Sequence, residues 1–517
     1  MKQIRYVSAL IIALLLLTIP VFAYTPYQNY TYNADKESTI EPQAYIPYGV
    51  INSEKLHLTM KEPQDLFIKG NKIFIADTGN NRILITDSEA SSVKILETFQ
   101  NNGKTDGFAK PSGLFVTESN RLYVADTDNE RIIEFDEDLE FVRSVGRPKS
   151  NLLPESVAYR PKRISVDVAG RLFVVSEDMS SGMIELDHRG EFVSFFGAVK
   201  TKPKVWELLV RFFATAEQKE RMSLIIPTEY SSNDIDDKGF VYGTVGIIDP
   251  DNFNDSMFIH RLNPIGDDIL NRDGTVGIID PDNFNDSMFI HRLNPIGDDI
   301  LNRDGTVAPM GDAEFVVDDK TNQYLPSMLV DICVKDTGLY TVLDRRFGRI
   351  FTYDQDGNLL YVFGSLGSSL GQFKIPVAID DFGDRYAVLD SELSQIVLFQ
   401  PTEYGTLITK AVESAFNQDY DSACEYWLQT LKFTSKSELS YSGVGDARYN
   451  QGNYSEAMKY YKLGNNRKYY SAAFEQYRTL VLDNYFTAIL ISIAVLILLI
   501  AVLAAYRKKR RSVRKGE

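Results

Sequence analysis

Three aspartate–arginine pairs recur in this chain at one spacing, and their side chains are of the types that can perform acid–base chemistry. The pairs are Asp77–Arg82, Asp126–Arg131 and Asp344–Arg349, and Asp390 holds the same place in a fourth phrase that has glutamine instead of arginine. A carboxylate beside a guanidinium can act in catalysis, but it can also accept backbone N–H groups in a tight turn while the arginine ties neighbouring structural units together. Because turn chemistry alone explains the spacing, we interpret these residues as structural.

The elements that position these pairs are repeated strands. The phrase IFIADTGNNRILITD at Ile73 to Asp87 returns as LYVADTDNERIIEFD at Leu122 to Asp136. A repeat of this length, with alternating apolar residues and turn signals, is typical of one four-stranded propeller blade. Six prolines open candidate blades: Pro63, Pro111, Pro161, Pro227, Pro326 and Pro376. The sequence therefore predicts a mainly β fold with a six-bladed β-propeller over residues 61–402.

On these phrases the chain resembles the NHL-repeat family, in which a blade reads as proline, small residue, apolar strand and an Asp-x-x-x-x-Arg turn. The match is strong in the first two blades and weaker later. In the third, Val175-Ser176-Glu177 stands where the aspartate phrase is expected, whereas the fifth keeps LDRRFGRIFTYD at Leu343 to Asp354. The resemblance implies a propeller with a central channel.

Residues facing this channel are expected two positions after each opening proline. This rule selects Asp65, Gly113, Arg163, Glu229, Met328 and Ala378, with Tyr230 nearby. Asp65, Arg163, Glu229 and Tyr230 are the candidates for binding a polar ligand, although the charged groups can also satisfy one another. The four histidines, His57, His188, His260 and His291, form no metal-ligand pattern. We predict no catalytic residue, no metal and no cofactor.

The two ends of the chain indicate export and membrane attachment. Residues 1–23 have the charged, apolar and small-residue regions of a signal peptide, and residues 24–60 are expected to form an extended leader. Residues 485–506 carry no charge and are long enough to cross a bilayer, and the basic tail 507–517 is typical of a cytoplasmic end. These features predict a cell-membrane protein with one spanning helix and its large N-terminal part outside.

A second repeat lies at 405–483, between the propeller and the spanning segment. DYDSACEYW at Asp419 to Trp427 returns as NYSEAMKYY at Asn453 to Tyr461. The offset equals the period of tetratricopeptide helix pairs, so this short α-helical region resembles that family. Two interpretations stay open: a spacer that holds the propeller off the bilayer, or a groove that binds a partner.

Two insertions precede and interrupt the fourth blade. Residues 203–223 have apolar side chains at helical spacing and predict an amphipathic helix, either a lid on the propeller or a membrane- or partner-facing element. Residues 243–273 are repeated without change at 274–304. The second copy has no opening proline strand, so we expect it to loop out or to compete for one sheet edge.

These features favour a binding or scaffolding protein rather than an enzyme. The net charge of −16 opposes binding to nucleic acid. The resemblance to NHL-repeat membrane proteins of Gram-positive bacteria implies a protein partner, such as an integral membrane or transporter component. Carbohydrate is a further candidate ligand, because tyrosines are frequent between Tyr24 and Gly49. The alternative is a metal-dependent, lactonase-like hydrolase in the channel.

Overall fold

The computed structural model describes most of the chain between Thr25 and Val513. The described residues are 25–34, 37–150, 152–153, 157–177, 179, 182–197, 230–245, 290–293, 311–312, 316–317, 324–325 and 327–513. The predicted signal peptide, the predicted helical insert 203–223 and most of the duplicated segment lie outside them.

The described part begins with a hairpin, a longer strand and one turn of helix. These elements are β1 (Asn29–Tyr32), β2 (Ser38–Glu41), β3 (Tyr45–Ile51) and α1 (Ser53–Leu56). β1 pairs antiparallel with β2, and β3 joins a sheet formed near the other end of the propeller.

Six antiparallel sheets follow, each built from strands that are close in sequence. Blade one contains β4 (Asp65–Lys69), β5 (Lys72–Asp77), β6 (Arg82–Asp87) and β7 (Lys94–Leu96). A hairpin of β8 (Thr98–Asn101) and β9 (Lys104–Gly107) leads to blade two, which has β10 (Pro111–Val116), β11 (Leu122–Asp126), β12 (Arg131–Phe135) and β13 (Phe141–Gly146). Blade three has β14 (Pro161–Val166), β15 (Leu172–Ser176), β16 (Met183–Leu186) and β17 (Phe192–Phe196).

The remaining blades depart more from the repeat. In blade four the described strands are β18 (Tyr230–Ile235), β19 (Val241–Val245) and β20 (His291–Leu293), and the short pair β21 (Val316–Val317) and β22 (Tyr324–Leu325) follows. Blade five has β23 (Leu329–Val334), β24 (Tyr340–Asp344), β25 (Arg349–Tyr353) and β26 (Leu359–Phe363). After the parallel pair β27 (Ser365–Leu366) and β28 (Gln372–Phe373), blade six has β29 (Pro376–Phe382), β30 (Arg385–Asp390) and β31 (Gln395–Pro401).

The ring is closed by both ends of the propeller sequence. The innermost strand of each blade contacts that of the next, and β29 contacts β4. The outermost strand of blade six is β3, which pairs with β31 from Tyr45 opposite Pro401 to Ile51 opposite Ile396. The leader predicted for 24–60 is therefore wrong in this part, because Tyr45–Ile51 supplies the hydrogen-bond partners that the edge of β31 lacks. The propeller starts before residue 61.

The apolar core lies between the blades. The second strand of each described blade is buried almost throughout, since both of its faces pack against sheets. Between blades one and two, for example, Ala76 and Ile83 pack with Leu114 and Val124, and all four are nearly inaccessible to solvent. Each of the larger aliphatic side chains, such as Ile83 or Leu114, contributes about 1.5–3 kcal/mol by its burial.

The aspartate phrase forms the turn between the second and third strands of blades one and two. Asp77 accepts the backbone N–H of Lys61 at 2.7 Å and the Nε of Arg82 at 2.6 Å. Thr78 donates its hydroxyl to the carbonyl of Pro111 at 2.6 Å, in the next blade. Blade two repeats this arrangement with Asp126, Arg131 and Thr127. The threonine therefore links neighbouring blades, while the arginine holds the segment that enters its own blade.

In blades five and six the phrase is only partly reproduced. Asp344 accepts the backbone N–H of Met328 at 2.9 Å, but Arg349 forms its ion pair with Asp312 instead. Asp390 accepts the backbone N–H of Lys374 at 2.6 Å and that of Leu393 at 3.0 Å. The Asp344–Arg349 pair expected from the spacing is thus not formed, because Asp312 offers the guanidinium another carboxylate.

Blade four takes its third described strand from the second copy of the duplicated segment. His291–Leu293 pairs antiparallel with Val241–Gly243 of β19. Since the first copy contains the same residues at His260–Leu262, the two copies offer identical strands for one sheet edge. The rest of both copies, after Val245, lies largely outside the described residues.

A helical region follows the propeller directly. It consists of α2 (Glu403–Phe416), α3 (Tyr420–Thr430), α4 (Glu438–Asn450), α5 (Tyr454–Leu463) and α6 (Arg467–Val513). The repeated positions Asp419 and Asn453 are the N-caps of α3 and α5. A Cβ atom on Gly443 would lie 2.4 Å from the Trp427 ring, and one on Gly445 would lie 2.6 Å from Tyr461. These glycines let α4 approach the helices on either side.

The last helix contains the predicted spanning segment. Within the described residues no single helix meets the length and hydropathy requirements for crossing a bilayer. Two parts of α6, Arg467–Thr487 and Leu490–Ala505, meet them only together, and they are bent by 63°.

Candidate functional site

The inner end of each blade offers one residue to the centre of the propeller at a β-bulge. In blade two the bulge separates Pro111 from Gly113, and the same irregularity recurs in blades three to six. The residues after the bulge, with their equivalent in blade one, are Asp65, Gly113, Arg163, Ser232, Asp331 and Ala378.

These six residues form an inner ring around the propeller axis, and Arg163 is at its centre. Its guanidinium donates to the carbonyls of Ser112 at 2.6 Å, Gln64 at 3.0 Å and Val377 at 3.1 Å. It also pairs with Asp65 at 3.4 Å and Asp331 at 3.7 Å. One side chain of blade three thus binds atoms of blades one, two, five and six.

The two carboxylates beside Arg163 are buried and mutually repulsive. Burial raises the pKa of Asp65 to about 7, Arg163 opposes this rise, and Asp331 adds to it. Burial likewise raises the pKa of Asp331, against the attraction of Arg163. Asp65 also accepts the N–H of Leu114 at 2.7 Å, and Asp331 accepts that of Ile379 at 2.7 Å. Apart from Arg163 Nε, which has no hydrogen-bond partner in the described part of the chain, this network satisfies its own members instead of presenting open groups to a ligand.

The predicted ligand set is therefore only partly brought together. Asp65 and Arg163 meet in the ring, whereas Glu229 lies outside the described residues. Tyr230 packs between blades three and four, and its hydroxyl donates to the carbonyl of Gly197 at 2.9 Å. Tyr230 is not a channel residue, because it stands at the position that proline holds in other blades.

Sequence reasoning missed Ser232 and Asp331 because it aligned blades four and five on the wrong prolines. Pro111 pairs with Asp126 in blade two, and Leu329 pairs with Asp344 in blade five at the same separation. Counting back from Asp344 would therefore have identified Leu329 as the opening residue and Asp331 as the ring residue.

A second layer of carboxylates links the innermost strands. Asp234 accepts the N–H of Val334 in the next blade at 2.8 Å, and Asp380 accepts the N–H of Ile68 in blade one at 2.5 Å. The innermost strand is a sheet edge, so these backbone groups have no partner within their own blade. The aspartate side chains therefore accept the hydrogen bonds that a further strand would otherwise accept.

One set of side chains in this layer has the spacing of metal ligands. The candidate ligand atoms of Cys333, Asp380 and Asp381 lie within 4.8 Å of one another. The Cys333 thiol donates to Asp381 at 3.1 Å and to Asp380 at 3.5 Å. Burial and the neighbouring carboxylates raise the pKa of this thiol, which favours the protonated form. As a thiolate with two carboxylates the set would suit a divalent cation such as zinc.

A separate space lies outside the channel, where blade five meets the helical region. This cleft has a volume of about 800 Å³. Its propeller side is formed by the turn between β25 and β26, from Asp354 to Leu360, and by Thr31 and Tyr32 of β1. Its helical side is formed by residues of α2 to α6, among which aromatic rings are frequent: Phe416, Tyr420, Trp427, Tyr449, Tyr461 and Tyr469.

Four carboxylates line this cleft, and the pKa values of three of them are raised. Burial raises the pKa of Asp446 to about 7, and its neighbours Asp354 and Asp356 add to the rise. The Tyr461 hydroxyl donates to Asp446 Oδ1 at 2.8 Å and partly offsets these effects. Burial raises the pKa of Asp354 to about 6, and that of Asp356 is also raised.

Comparisons with known proteins give only distant structural similarities. No family model matches the chain, and no curated protein matches its sequence. Among solved structures, a virginiamycin B lyase from Staphylococcus aureus is 13% identical over 69% of this chain and 99% of its own, with a TM-score of 0.38. A streptogramin B lyase is 13% identical over 70% of this chain and 100% of its own, with a TM-score of 0.39. A protein of unknown function from Bacteroides thetaiotaomicron is 11% identical over 73% of this chain and 76% of its own, with a TM-score of 0.41.

Proposed function

We propose that this chain is a membrane-anchored, extracytoplasmic binding or scaffolding protein whose ligand surface is the cleft between blade five and the helical region. The observation that carries the proposal is that this cleft is built from both modules, with walls from β1, blade five and five helices. Cavities of this size, lined by aromatic rings and a few polar groups, are the usual form of binding sites. The cleft favours the groove interpretation of the helices over the simple spacer.

The central channel supports binding less well. Arg163, Asp65 and Asp331 are engaged with each other and with backbone groups of neighbouring blades. Introducing a ligand there would require breaking contacts that hold the ring together. We therefore place the partner, which we propose is a protein such as an integral membrane or transporter component, outside the channel.

Photo-crosslinking in cells tests this assignment. A photoreactive residue at Asn450, an exposed position that lines the cleft, should yield a discrete crosslinked product. The same residue at Lys104, exposed on the hairpin between blades one and two, should not. Equal yields of the same product from both positions, or no product from Asn450, would contradict the proposal.

The membrane topology is a separate part of the proposal, supported by the uncharged run at 485–506 and the basic tail after it. Cys333 and Cys424 are both buried, so an introduced cysteine reports on its own site. In intact cells, a membrane-impermeant maleimide should label Ser435→Cys, in the exposed connection before α4, but should label Ser512→Cys only after lysis. The reverse pattern, or equal labelling of both, would refute the topology.

A metal-dependent, lactonase-like hydrolase in the channel is the alternative. The Cys333, Asp380 and Asp381 set is the observation that favours it. Under this alternative, the purified protein would contain about one equivalent of divalent metal, would lose it in Cys333→Ala and would hydrolyse lactones. The binding proposal predicts neither metal nor hydrolysis.

A further inference from the structure

The chemistry of the cleft between blade five and the helical region is specific enough to define a class of ligand. We propose that it binds an organic cation, an ammonium or guanidinium group on an apolar body, with the cation beside Asp446 and the body against the aromatic wall. This inference rests on the proposed binding function and adds the kind of group that is bound.

The first reason is the balance of charge. Asp354, Asp356 and Asp446 all line the cleft, and none of them forms a salt bridge with a residue that the structure describes. The other charged side chains in the lining are Glu438, Arg467 and Lys468. Arg292, outside the lining, lies near enough to Asp356 to oppose the rise in its pKa. Four carboxylates against these three basic side chains still leave an excess of negative charge in a concave space, where it is screened less than on an open surface.

The second reason is the position of Asp446. Among the described residues, only Tyr461 donates a side-chain hydrogen bond to this carboxylate. The acceptor atom is Asp446 Oδ1. The backbone around it is fixed, because Gly445 packs directly on the Tyr461 ring. Asp446 is thus held on the helical side of the cleft, opposite the carboxylates of blade five. Its side chain is largely buried but lines the cleft, where a ligand can reach it.

The third reason is the aromatic wall beside these carboxylates. Tyr461 stacks on Tyr469, with ring centroids 5.8 Å apart and planes inclined by 27°. Tyr461 is buried, so the partly exposed Tyr469 is the ring of this pair that a ligand can contact. An aromatic face attracts a cation through its quadrupole and also covers apolar surface. The chain already uses this attraction at the edge of the cleft, where the Lys238 ammonium lies 4.1 Å from the centroid of the Phe416 ring. An anion would be repelled by the carboxylates, and a neutral polar ligand would gain neither the attraction of the carboxylates nor that of the aromatic faces.

Calorimetric titration of the full chain in detergent micelles tests the proposal. The probes are 2-phenylethylamine and its neutral counterpart 2-phenylethanol, and the peptides acetyl-Phe-Lys-Phe-amide and acetyl-Phe-Gln-Phe-amide. At least one cationic probe should bind about 10-fold more tightly than its neutral counterpart, which corresponds to about 1.4 kcal/mol. Tighter binding of the amine would indicate a free small molecule, and tighter binding of the lysine peptide would indicate a basic segment of a protein.

Two variants and a matched control locate the effect. Asp446→Asn keeps an acceptor for Tyr461 and should remove the preference for the cationic probe. Asp356→Asn, at the exposed rim, should lower the affinity for the cationic probe by about 3-fold. This variant keeps the test valid if Asp446→Asn fails to fold. Glu425→Gln makes the same charge change at an exposed position of α3 outside the cleft and should bind as the unmodified chain does.

The results that overturn the inference are distinct from those that overturn the binding function. Equal binding of charged and neutral probes, binding of none of the four, or equal effects of Asp446→Asn and Glu425→Gln would each refute the cation site. If Asn450 still crosslinks to a partner under these circumstances, the binding function stands and only the assigned ligand class fails.

Discussion

Replacing Arg163 by methionine should destabilise the propeller by about 4 kcal/mol, within the range of 3–5 kcal/mol for breaking a buried ion pair. Methionine has a similar length and fills the same space, so the change removes charge and hydrogen bonds more than packing. The variant loses the donors to three carbonyls, those of Ser112, Gln64 and Val377. It also leaves Asp65 and Asp331 buried without a counter-charge.

The pH dependence of this loss follows from the carboxylates. The pKa of Asp65 is about 7 in the folded chain and near 3.8 when the residue is unperturbed. The folded state therefore takes up a proton between these values, and stability falls as the pH rises through this window. Without Arg163 the folded pKa values of Asp65 and Asp331 rise further, so the deficit of the variant should be smaller at pH 5 than at pH 8.

The assay is urea denaturation of the full chain in detergent, followed by near-ultraviolet circular dichroism at pH 5 and pH 8. Arg121→Met is the matched control in blade two: Arg121 is half-exposed and pairs with Glu134 at 2.5 Å. Its loss should cost less than about 1 kcal/mol. If Arg163→Met lost no more stability than the control, or lost the same amount at both pH values, the ring would not depend on Arg163 as argued.

Three further predictions concern the closure and packing of the blades. A Cβ atom on Gly113 would lie 2.2 Å from the Lys162 carbonyl oxygen, so Gly113→Ala should lower the free energy of unfolding by about 3 kcal/mol in denaturation experiments. Gly146→Ala in the same blade is the control and should be near neutral, because no atom lies within 4 Å of its Cβ position. Tyr45 is 1% exposed, so Tyr45→Ala should cost about 3–5 kcal/mol and Tyr45→Phe only about 1 kcal/mol; equal losses would mean that the hydroxyl, not the ring, secures β3. Treatment with EDTA should leave the thermal melting curve unchanged, since the inner carboxylates accept backbone N–H groups, and a lower melting temperature would instead indicate a bound metal.

Local patterns in the sequence were sufficient to predict the propeller but not how its last blade is completed. The alternation and turn residues around Asp77 and Asp126 identify blades because all their partners lie nearby in the chain. The strand Tyr45–Ile51 carries no aspartate phrase, and a bulge between Pro47 and Gly49 interrupts its alternation. Its partner lies at the far end of the propeller, and local periodicity carries no information about such a pairing.

Local sequence patterns were also insufficient to predict the candidate sites in full. Asp65 and Arg163 could be proposed as neighbours because blades one and three keep their opening prolines. The proline rule missed Asp331, since leucine replaces that proline in blade five, although the spacing to Asp344 would have identified it. The cleft depends on how the helices lie against blade five, and Asp446 meets Asp354 there only through tertiary packing.

The pairing of β3 with β31 has a consequence for the order of folding events during synthesis. When a chain emerges N-terminus first, Tyr45–Ile51 appears early, but its partner Gln395–Pro401 appears only after all six blades have followed. Until then β3 is an unpaired, largely apolar strand at risk of misassociation. Contacts of such long sequence separation form slowly, because the entropy of closing the intervening loop must be overcome first. The propeller is therefore expected to close in a single late step. A chain truncated before Gln395 should remain open and sensitive to proteolysis at both ends of the propeller.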